Sequence, residues 1–483
     1  MTHHTTPAEK LTALFLQYTG KIPDTITRLS EGGSARQYFR LSSGKISLIG
    51  VFNMIQEENH AFKSFSDAFL KCELPVPEVV ILDENNELYL QTDLGDLHLF
   101  DLVQKAHQQG GFHESLTGFY KEALDNLIRF QLDAHAAIPY KDAFPVERFT
   151  RKAIHDDLLY FKYYFLKLHS EIQFNESKLD YDLSRFATHC AAAPGDFFMY
   201  RDFQSRNIMI HEGKTWFIDF QGGRKGPLQY DPVSLLYQVK ARIPEENRQK
   251  LLAYYLNKLS QRVDIEAIHF HQFLPSFILL RLMQVLGAYG YRGIIQKKVH
   301  FLQSIPYALA EIPNFLKSGH LPQGFYHLMQ VIEQLAKLQN RYPVQDLQPA
   351  DKLRIRISSF SYKKGGIPED SSGNNGGFVF DCRALPNPGR LEHFKSLTGK
   401  DKEVIDFLKD TAEVRDFLDQ SRKIIAASIN NYQERGFKNL MINFGCTGGQ
   451  HRSVFCSENI YQWISENFDG VLAELHHYES NNW

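Results

Sequence analysis

The sequence predicts an α+β chain of two lobes, a small strand-rich one and a larger helical one, followed by a separate small α/β domain. Three observations carry this expectation. Strand alternation and glycine occupy the text from Arg28 to about Thr92. Helical periodicity then runs from Leu97 to about Asn340, interrupted by two short motifs, Y-R-D-F-Q-S-R-N at 200–207 and W-F-I-D-F at 216–220. After the polar, proline-bearing interval Arg341–Lys352, strands and helices alternate to the end. The expected boundaries are 1–345 for the bilobal part, with a small lobe to about 95 and a large lobe from about 96, and 346–483 for the second domain. At 483 residues the chain exceeds what one hydrophobic core normally serves.

Residues 8 to about 20 have amphipathic helical spacing. Thr25–Leu29 and Gln37–Leu41 read as strands joined by the turn E-G-G-S-A-R at 31–36, with a third strand at Ile46–Phe52. This pattern suits a nucleotide-covering hairpin: Gly32 and Gly33 let backbone N–H groups approach phosphate, and Ser34 or Arg36 adds a side-chain donor. A Gly-Gly turn serves equally as a plain turn. A helix over Glu57–Leu70, punctuation at Pro75-Val76-Pro77, and a strand over Glu87–Thr92 entering D-L-G-D follow, so Gln91 and Asp93 fall where a hinge would meet a nucleotide. Helices dominate from Leu97 to Ala193, broken by Pro139 and Pro145. In the second domain the expected elements are strands Leu353–Phe360, Phe378–Cys382 and Asn439–Phe444, with helices around Lys402–Leu418, Ile424–Arg435 and Ser453–Asn467.

Hydrophobic residues make up 43% of the chain, ample for its cores, and 54 basic groups against 56 acidic ones leave no global field to gather nucleic acid or an anionic membrane. The five cysteines, Cys72, Cys190, Cys382, Cys446 and Cys456, are scattered without metal-type pairs, which suits a reducing compartment. With no targeting signal or membrane-length apolar run in the text, a cytoplasmic location is expected.

The chemistry concentrates at 200–220. Moving a phosphoryl group from a nucleotide to a hydroxyl needs a carboxylate that accepts the hydroxyl proton and oxygen ligands that hold magnesium against the phosphates. Asp202 fits the first need; Asn207 and Asp219 fit the second. The five-residue step from Asp202 to Asn207 equals that of the protein-kinase catalytic loop, and Asp219 ends an apolar strand as the magnesium-binding aspartate does. Tyr200 replaces the usual histidine. Taken singly, Asp202 could sit in a surface ion pair and the other two in turns. The absence of glycine after Asp219-Phe220 and of a later A-P-E segment argues for a small hydroxylated substrate rather than a protein.

Through G-G-S-A-R-Q-Y-F-R at 32–40, L-P-V-P-E-V at 74–79, L-Y-L-Q-T-D-L-G-D at 88–96, F-Y-K-E-A-L-D-N-L-I-R-F-Q at 119–131, the cassette with D-F-Q at 219–221, G-P-L-Q-Y-D-P-V-S-L-L at 226–236 and L-R-L-M-Q-V-L-G-A-Y-G at 280–290, the first 340 or so residues resemble the aminoglycoside phosphotransferase family. Within it they look most like the anomeric kinases of N-acetylmuramate and N-acetylglucosamine. The resemblance implies a protein-kinase-like bilobal fold, ATP with magnesium, and phosphorylation of an amino-sugar hydroxyl, the anomeric one, in a setting of cell-wall sugar recycling. The third strand lacks a phosphate-pairing lysine at the expected place, which leaves phosphate to the loop backbone and Arg36, with Glu57 or Glu58 as its partner. Gln221, Tyr230 and Asp231 are candidate sugar-binding groups.

In the second domain, N-L-M-I-N-F runs into Gly445-Cys446-Thr447-Gly448-Gly449-Gln450-His451-Arg452-Ser453 and then a helix. Strand, glycine-rich turn and helix start form an anion cradle, in which backbone N–H groups converge and His451 and Arg452 add charged donors. Cysteine, five residues, arginine and serine is also the spacing of cysteine phosphatases, so passive anion binding, phosphatase chemistry and a structural turn all stay open. I-S-S-F-S-Y-K-K-G-G-I-P, F-D-C-R-A-L-P-N-P, L-T-G-K-D-K, E-V-R-D-F-L and the cradle itself resemble the C-terminal domain of the RNase adaptor RapZ. That resemblance implies binding of a sugar phosphate, glucosamine 6-phosphate, with Arg383 and Asn387 near the cradle. The resemblance also leaves RNA open as a partner, although RapZ's nucleotide-binding N-terminal domain and its basic tail have no counterpart in the text, which ends H-H-Y-E-S-N-N-W. The rival to a sugar kinase is a metabolite or RNA sensor on a degenerate kinase scaffold; the missing lysine favours it, and the intact Asp202, Asn207 and Asp219 oppose it.

Overall fold

The computed structural model describes residues 6–29, 36–296, 298–318, 322–342, 352–368, 370, 377–435 and 437–480. The turn carrying Gly32, Gly33 and Ser34 lies outside the described residues, as does the expected boundary at 345/346. The chain forms two compact units, one of residues 1–295 and 303–343, the other of 296–302 and 344–483.

The first unit opens with α1 (Pro7–Thr19), started by a reciprocal cap in which the Thr6 hydroxyl accepts the Glu9 N–H at 3.3 Å and the Glu9 carboxylate accepts the Thr6 N–H at 2.7 Å. Strands β1 (Thr25–Arg28), β2 (Gln37–Ser43), β3 (Ile46–Phe52), β4 (Val79–Leu82) and β5 (Leu88–Thr92) make an antiparallel sheet in the order β1-β2-β3-β5-β4. The two faces of this sheet bury different residues, as a period of two dictates. Leu41, Leu48 and Leu90 pack on Leu11 and Phe15 of α1, while Ile49, Val51 and Tyr89 pack with Phe62, Phe65 and Phe69 of α2 (Gln56–Lys71).

The helical lobe contains α3 (Leu99–Gln108), α4 (Glu114–Ile128), α5 (Arg151–Tyr164), α6 (Glu176–Ala191), α7 (Tyr230–Leu236), α8 (Glu245–Ser260) and α9 (Phe270–Tyr289). Between α6 and α7 lie β6 (Phe197–Met199), the hairpin β7 (Ile208–His211) and β8 (Lys214–Phe217), and β9 (Arg224–Gly226), which pairs with β6. These short strands carry the 200–220 motif. Helix α9 with its continuation to Ile295 is long and apolar enough to cross a membrane by composition, yet 61% of its most apolar window is buried inside the protein, and it crosses α5 closely. A side chain at Gly290 would sit 1.8 Å from the Tyr164 carbonyl oxygen, so that crossing requires glycine. Helices α10 (Val299–Leu302), α11 (Ile305–Lys317) and α12 (Tyr326–Leu335) complete this stretch of chain.

The second domain is a parallel sheet, β10 (Leu353–Ser361), β11 (Phe378–Asp381), β12 (Asn439–Cys446) and β13 (Val471–His477), ordered β11-β12-β10-β13 and layered with α13 (Lys402–Lys409), α14 (Ala412–Glu434) and α15 (Arg452–Asn467). Two features depart from expectation. The helical text from Lys402 breaks at Thr411, which turns extended (φ −85°, ψ 125°), instead of between Leu418 and Ile424. Strand β13 went unpredicted because V-L-A-E-L-H-H has weak alternation and draws its order from pairing with β10.

Candidate functional site

The chain bends sharply at both ends of the motif: Arg201 (φ 79°) and Asp219 (φ 67°) adopt left-handed backbone, a strain that clusters where side chains must be aimed. The Asn207 amide nitrogen donates to the Asp202 carbonyl at 2.8 Å and to Asp219 Oδ2 at 3.2 Å. With its nitrogen spent, the Asn207 carbonyl oxygen is the atom left for a ligand. The Asp202 side chain is 41% exposed, and its carboxylate stands 4.0 Å from the Arg281 guanidinium on α9. Tyr200, in place of the usual histidine, is buried; its hydroxyl donates to the Ile218 carbonyl at 2.7 Å and so ties the two halves of the motif together.

Arg36 precedes β2 and enters the same cleft. Its guanidinium, 5% exposed, ion-pairs with Glu58 on α2 and donates to Asp219 Oδ1 at 3.0 Å; burial would lower its pKa, but Tyr38, Asp219, Tyr89 and Glu58 together raise it. Phe220 stacks on Phe62, one turn beyond Glu58, with centroids 4.5 Å apart, so α2, the arginine and the metal-type aspartate are held as one block. Gln221 donates to Asp219 Oδ1 at 2.8 Å and keeps a buried Oε1 without a partner; the buried Gln91 on β5 likewise keeps an unpartnered Oε1. Asp93 is otherwise engaged. Arg40 grips both its oxygens at 2.7 and 3.0 Å, and Ser47 and the Gly95 N–H add further bonds. Burial alone would raise the Asp93 pKa; these bonds outweigh it and hold it below the ordinary value.

Two of the sugar-binding candidates occupy inner positions. Asp231 is fully buried and accepts the backbone N–H of Tyr200 at 2.7 Å and of Arg201 at 3.0 Å, so it is a positioning residue for the loop that carries Asp202. Tyr230 is buried, donates to Gln284 at 2.9 Å and accepts from Arg281 at 3.1 Å. Neither could be identified from spacing, because the contacts close across 30 or more residues of chain. Burial pushes the Asp231 carboxyl up to about 7 despite its two N–H donors. Between its ordinary value and that figure, the unfolded chain is ionised while the folded one holds the proton. The group's stabilising contribution is therefore complete in acid and lost as pH rises through 7. The urea midpoint of the wild type minus that of Asp231→Asn is expected to shrink from about pH 5 to 8; a flat or growing difference would contradict this.

The cradle of the second domain sits at the C-terminal ends of parallel strands, where such sheets bind ligands. A side chain at Gly445 would meet the Phe360 ring at 2.4 Å, and Gly449 (φ 69°) is pressed against Glu479, 2.5 Å from where a Cβ would stand. The Gly449 N–H donates to Cys446 Sγ at 3.2 Å, and the Ser453 hydroxyl lies 3.1 Å from the same sulfur. The charged donors are placed differently from expectation: His451 Nε2 meets the Phe394 carbonyl at 2.8 Å, and Arg452 Nη1 donates to the carbonyls of Arg383 and Leu385 at 2.8 and 2.9 Å. Arg452 Nε remains buried and unpartnered. The Thr447 carbonyl accepts the Ser361 hydroxyl at 2.8 Å, and Gly448 borders open space. Arg383 pairs with Asp381 and covers the Tyr362 ring at 4.0 Å; Asn387 and His451 flank Gly389. The structure thus gathers Arg383, Asn387, His451 and Arg452 around one loop.

A small antiparallel sheet with two helices, a helical lobe, and an Asp-Asn-Asp set beside short strands define a phosphotransferase. The chain belongs to the phosphotransferase enzyme family, whose model matches residues 25–270, and residues 353–481 match the RapZ C-terminal domain. A nucleotide-binding protein of Thermosipho melanesiensis is 41% identical over 121 residues, which are 25% of this chain and 41% of that protein; the chain thus spans about two fifths of the curated relatives it matches. Among solved structures, an amicoumacin kinase in complex with AMP-PNP and Ca2+ is 13% identical, covering 66% of this chain and 96% of its own, with a TM-score of 0.47. The choline kinase LicA of Streptococcus pneumoniae is 10% identical, covering 68% and 98%, with a TM-score of 0.41.

Proposed function

We propose that the first unit is an ATP-dependent kinase of N-acetylated amino sugars of the N-acetylmuramate or N-acetylglucosamine type, acting at the anomeric hydroxyl in the cytoplasm. The observation that supports this is the placing of Asn207 between the Asp202 backbone carbonyl and the Asp219 carboxylate, with Arg36 bonded to Asp219. Asp202 accepts the acceptor hydroxyl's proton. Asn207 Oδ1 and the Asp219 carboxylate would hold a magnesium ion, a cation that takes one or two protein oxygens, and when bound it would supply positive charge against the phosphates. Among the described residues no cluster of three or more His, Cys, Asp or Glu side chains could hold a metal alone, which suits an ion that arrives with its nucleotide. Arg36 serves in place of the missing lysine, held by Glu58 as a kinase lysine is held by its helix glutamate. The unpartnered Gln91 oxygen suits the adenine amino group, and the Gln221 oxygen suits a sugar hydroxyl.

For the second domain the reading is a phosphate-ester site in which the 446–453 loop and Arg452 Nε receive the anion. Calorimetric titration with glucosamine 6-phosphate is expected to give binding that Arg452→Ala weakens about tenfold or more, while free glucosamine gives none. Unchanged affinity in the variant would leave the loop a structural turn. For the kinase, incubation with ATP, magnesium and free sugars should give ADP in step with a new sugar phosphate; ADP formed equally without sugar would contradict it.

A further inference from the structure

The loop that follows β12 holds a sulfur inside its anion cradle, and anion binding alone has no need of one: backbone N–H groups and cations suffice for that task. Cys446 Sγ, on a residue 3% exposed, accepts the Gly449 N–H at 3.2 Å and lies 3.1 Å from the Ser453 hydroxyl. Arg452, five residues beyond the cysteine and 4% exposed, spends Nη1 on the Arg383 and Leu385 carbonyls and keeps Nε buried without a partner. A buried guanidinium nitrogen left so is costly unless an anion completes it. Gly448, in the middle of the loop, has nothing within 4 Å of where a Cβ would stand, so the loop faces open space there.

We propose that Cys446 is a nucleophile and that the second domain hydrolyses the phosphate monoester its cradle receives, through a phosphocysteine. In the first step the thiolate attacks, the S–P bond forms and the P–O bond to the alcohol breaks. The departing oxygen keeps the electron pair and takes a proton from water. In the second step a water molecule attacks phosphorus, the S–P bond breaks, and inorganic phosphate and the thiolate are released. One water is consumed for one alcohol and one phosphate. The Gly449 N–H and the Ser453 hydroxyl face the sulfur, so they carry its charge as it leaves phosphorus. Loop N–H groups and Arg452 hold the phosphoryl oxygens through both steps.

This rests on the phosphate-ester reading of the cradle. The full chain, in EDTA and without ATP, is incubated with p-nitrophenyl phosphate, whose phenolate leaves without an added proton, and with glucosamine 6-phosphate. Inorganic phosphate is expected from the wild type, and at least about a hundredfold more slowly from Cys446→Ser. Ser453→Ala should slow the second step, so that a phosphoryl adduct on the Cys446 peptide, read by mass spectrometry after a rapid denaturing quench, builds up above its wild-type level. Should Cys446→Ser fold poorly, that adduct decides: its presence on Cys446 sustains the inference, and its absence from both the wild type and Ser453→Ala overturns it. Release from neither ester, or release unchanged in Cys446→Ser, also overturns it. Calorimetry then separates the two readings. Glucosamine 6-phosphate bound but left intact keeps the phosphate-ester site standing, and no binding removes that site as well.

Discussion

Replacing Asp202 by Asn is expected to cut kcat about 10³-fold while changing KM for ATP little, because a positioned base is worth roughly that factor and the nucleotide meets other groups. Fold and chemistry separate cleanly at this position. The Asp202 side chain is 41% exposed and its ionic neighbour among the described residues, Arg281, is 4.0 Å away, so the variant should unfold within about 0.5 kcal/mol of the wild type. A coupled ADP assay and a urea titration on the same preparation give both numbers. A loss of activity smaller than about tenfold would remove the base role from Asp202.

Arg36→Ala should be the more disruptive change, acting on stability and catalysis together. The guanidinium is 5% exposed and bonds Glu58 and Asp219, whose side chains are 20% and 36% exposed, so its removal strands two partly shielded carboxylates facing each other. Breaking a buried pair costs about 3–5 kcal/mol, and the exposure of Asp219 places the expected loss at the low end, about 3 kcal/mol. Phosphate grip goes with it, so KM for ATP should rise at least about tenfold. Arg36→Lys keeps the charge but cannot span Glu58 and Asp219 with one fork, so it should recover stability better than it recovers KM. Wild-type ATP kinetics in Arg36→Ala would show that Arg36 does not stand in for the missing lysine.

The motif at 200–220 was legible because its residues are near in sequence: a short loop fixes its own spacing, whatever the rest of the chain does. The order of strands and helices in both domains was legible from periodicity, apart from β4, β9, β13 and the break at Thr411. What spacing could not reveal was occupancy. Asp93 reads as a hinge group until Arg40, on a neighbouring stretch of sheet, is found gripping it, and Asp231 reads as substrate-facing until its oxygens are found on the Tyr200 and Arg201 N–H groups. In the second domain the loop was evident, whereas the turn of His451 and Arg452 toward backbone carbonyls depended on where residues 383–394 pass. Polar side chains are assigned by the partners that burial forces on them, and those partners come from distant text.

The central claim is that Asp202, Asn207 and Asp219 direct a phosphoryl group from ATP onto a sugar hydroxyl. Phosphorus NMR of the protein with ATP, magnesium and N-acetylmuramate or N-acetylglucosamine tests it most directly. The predicted result is a new phosphomonoester signal coupled to the anomeric proton, absent with Asp219→Asn; a spectrum showing only ATP, or ADP with inorganic phosphate alone, would contradict it.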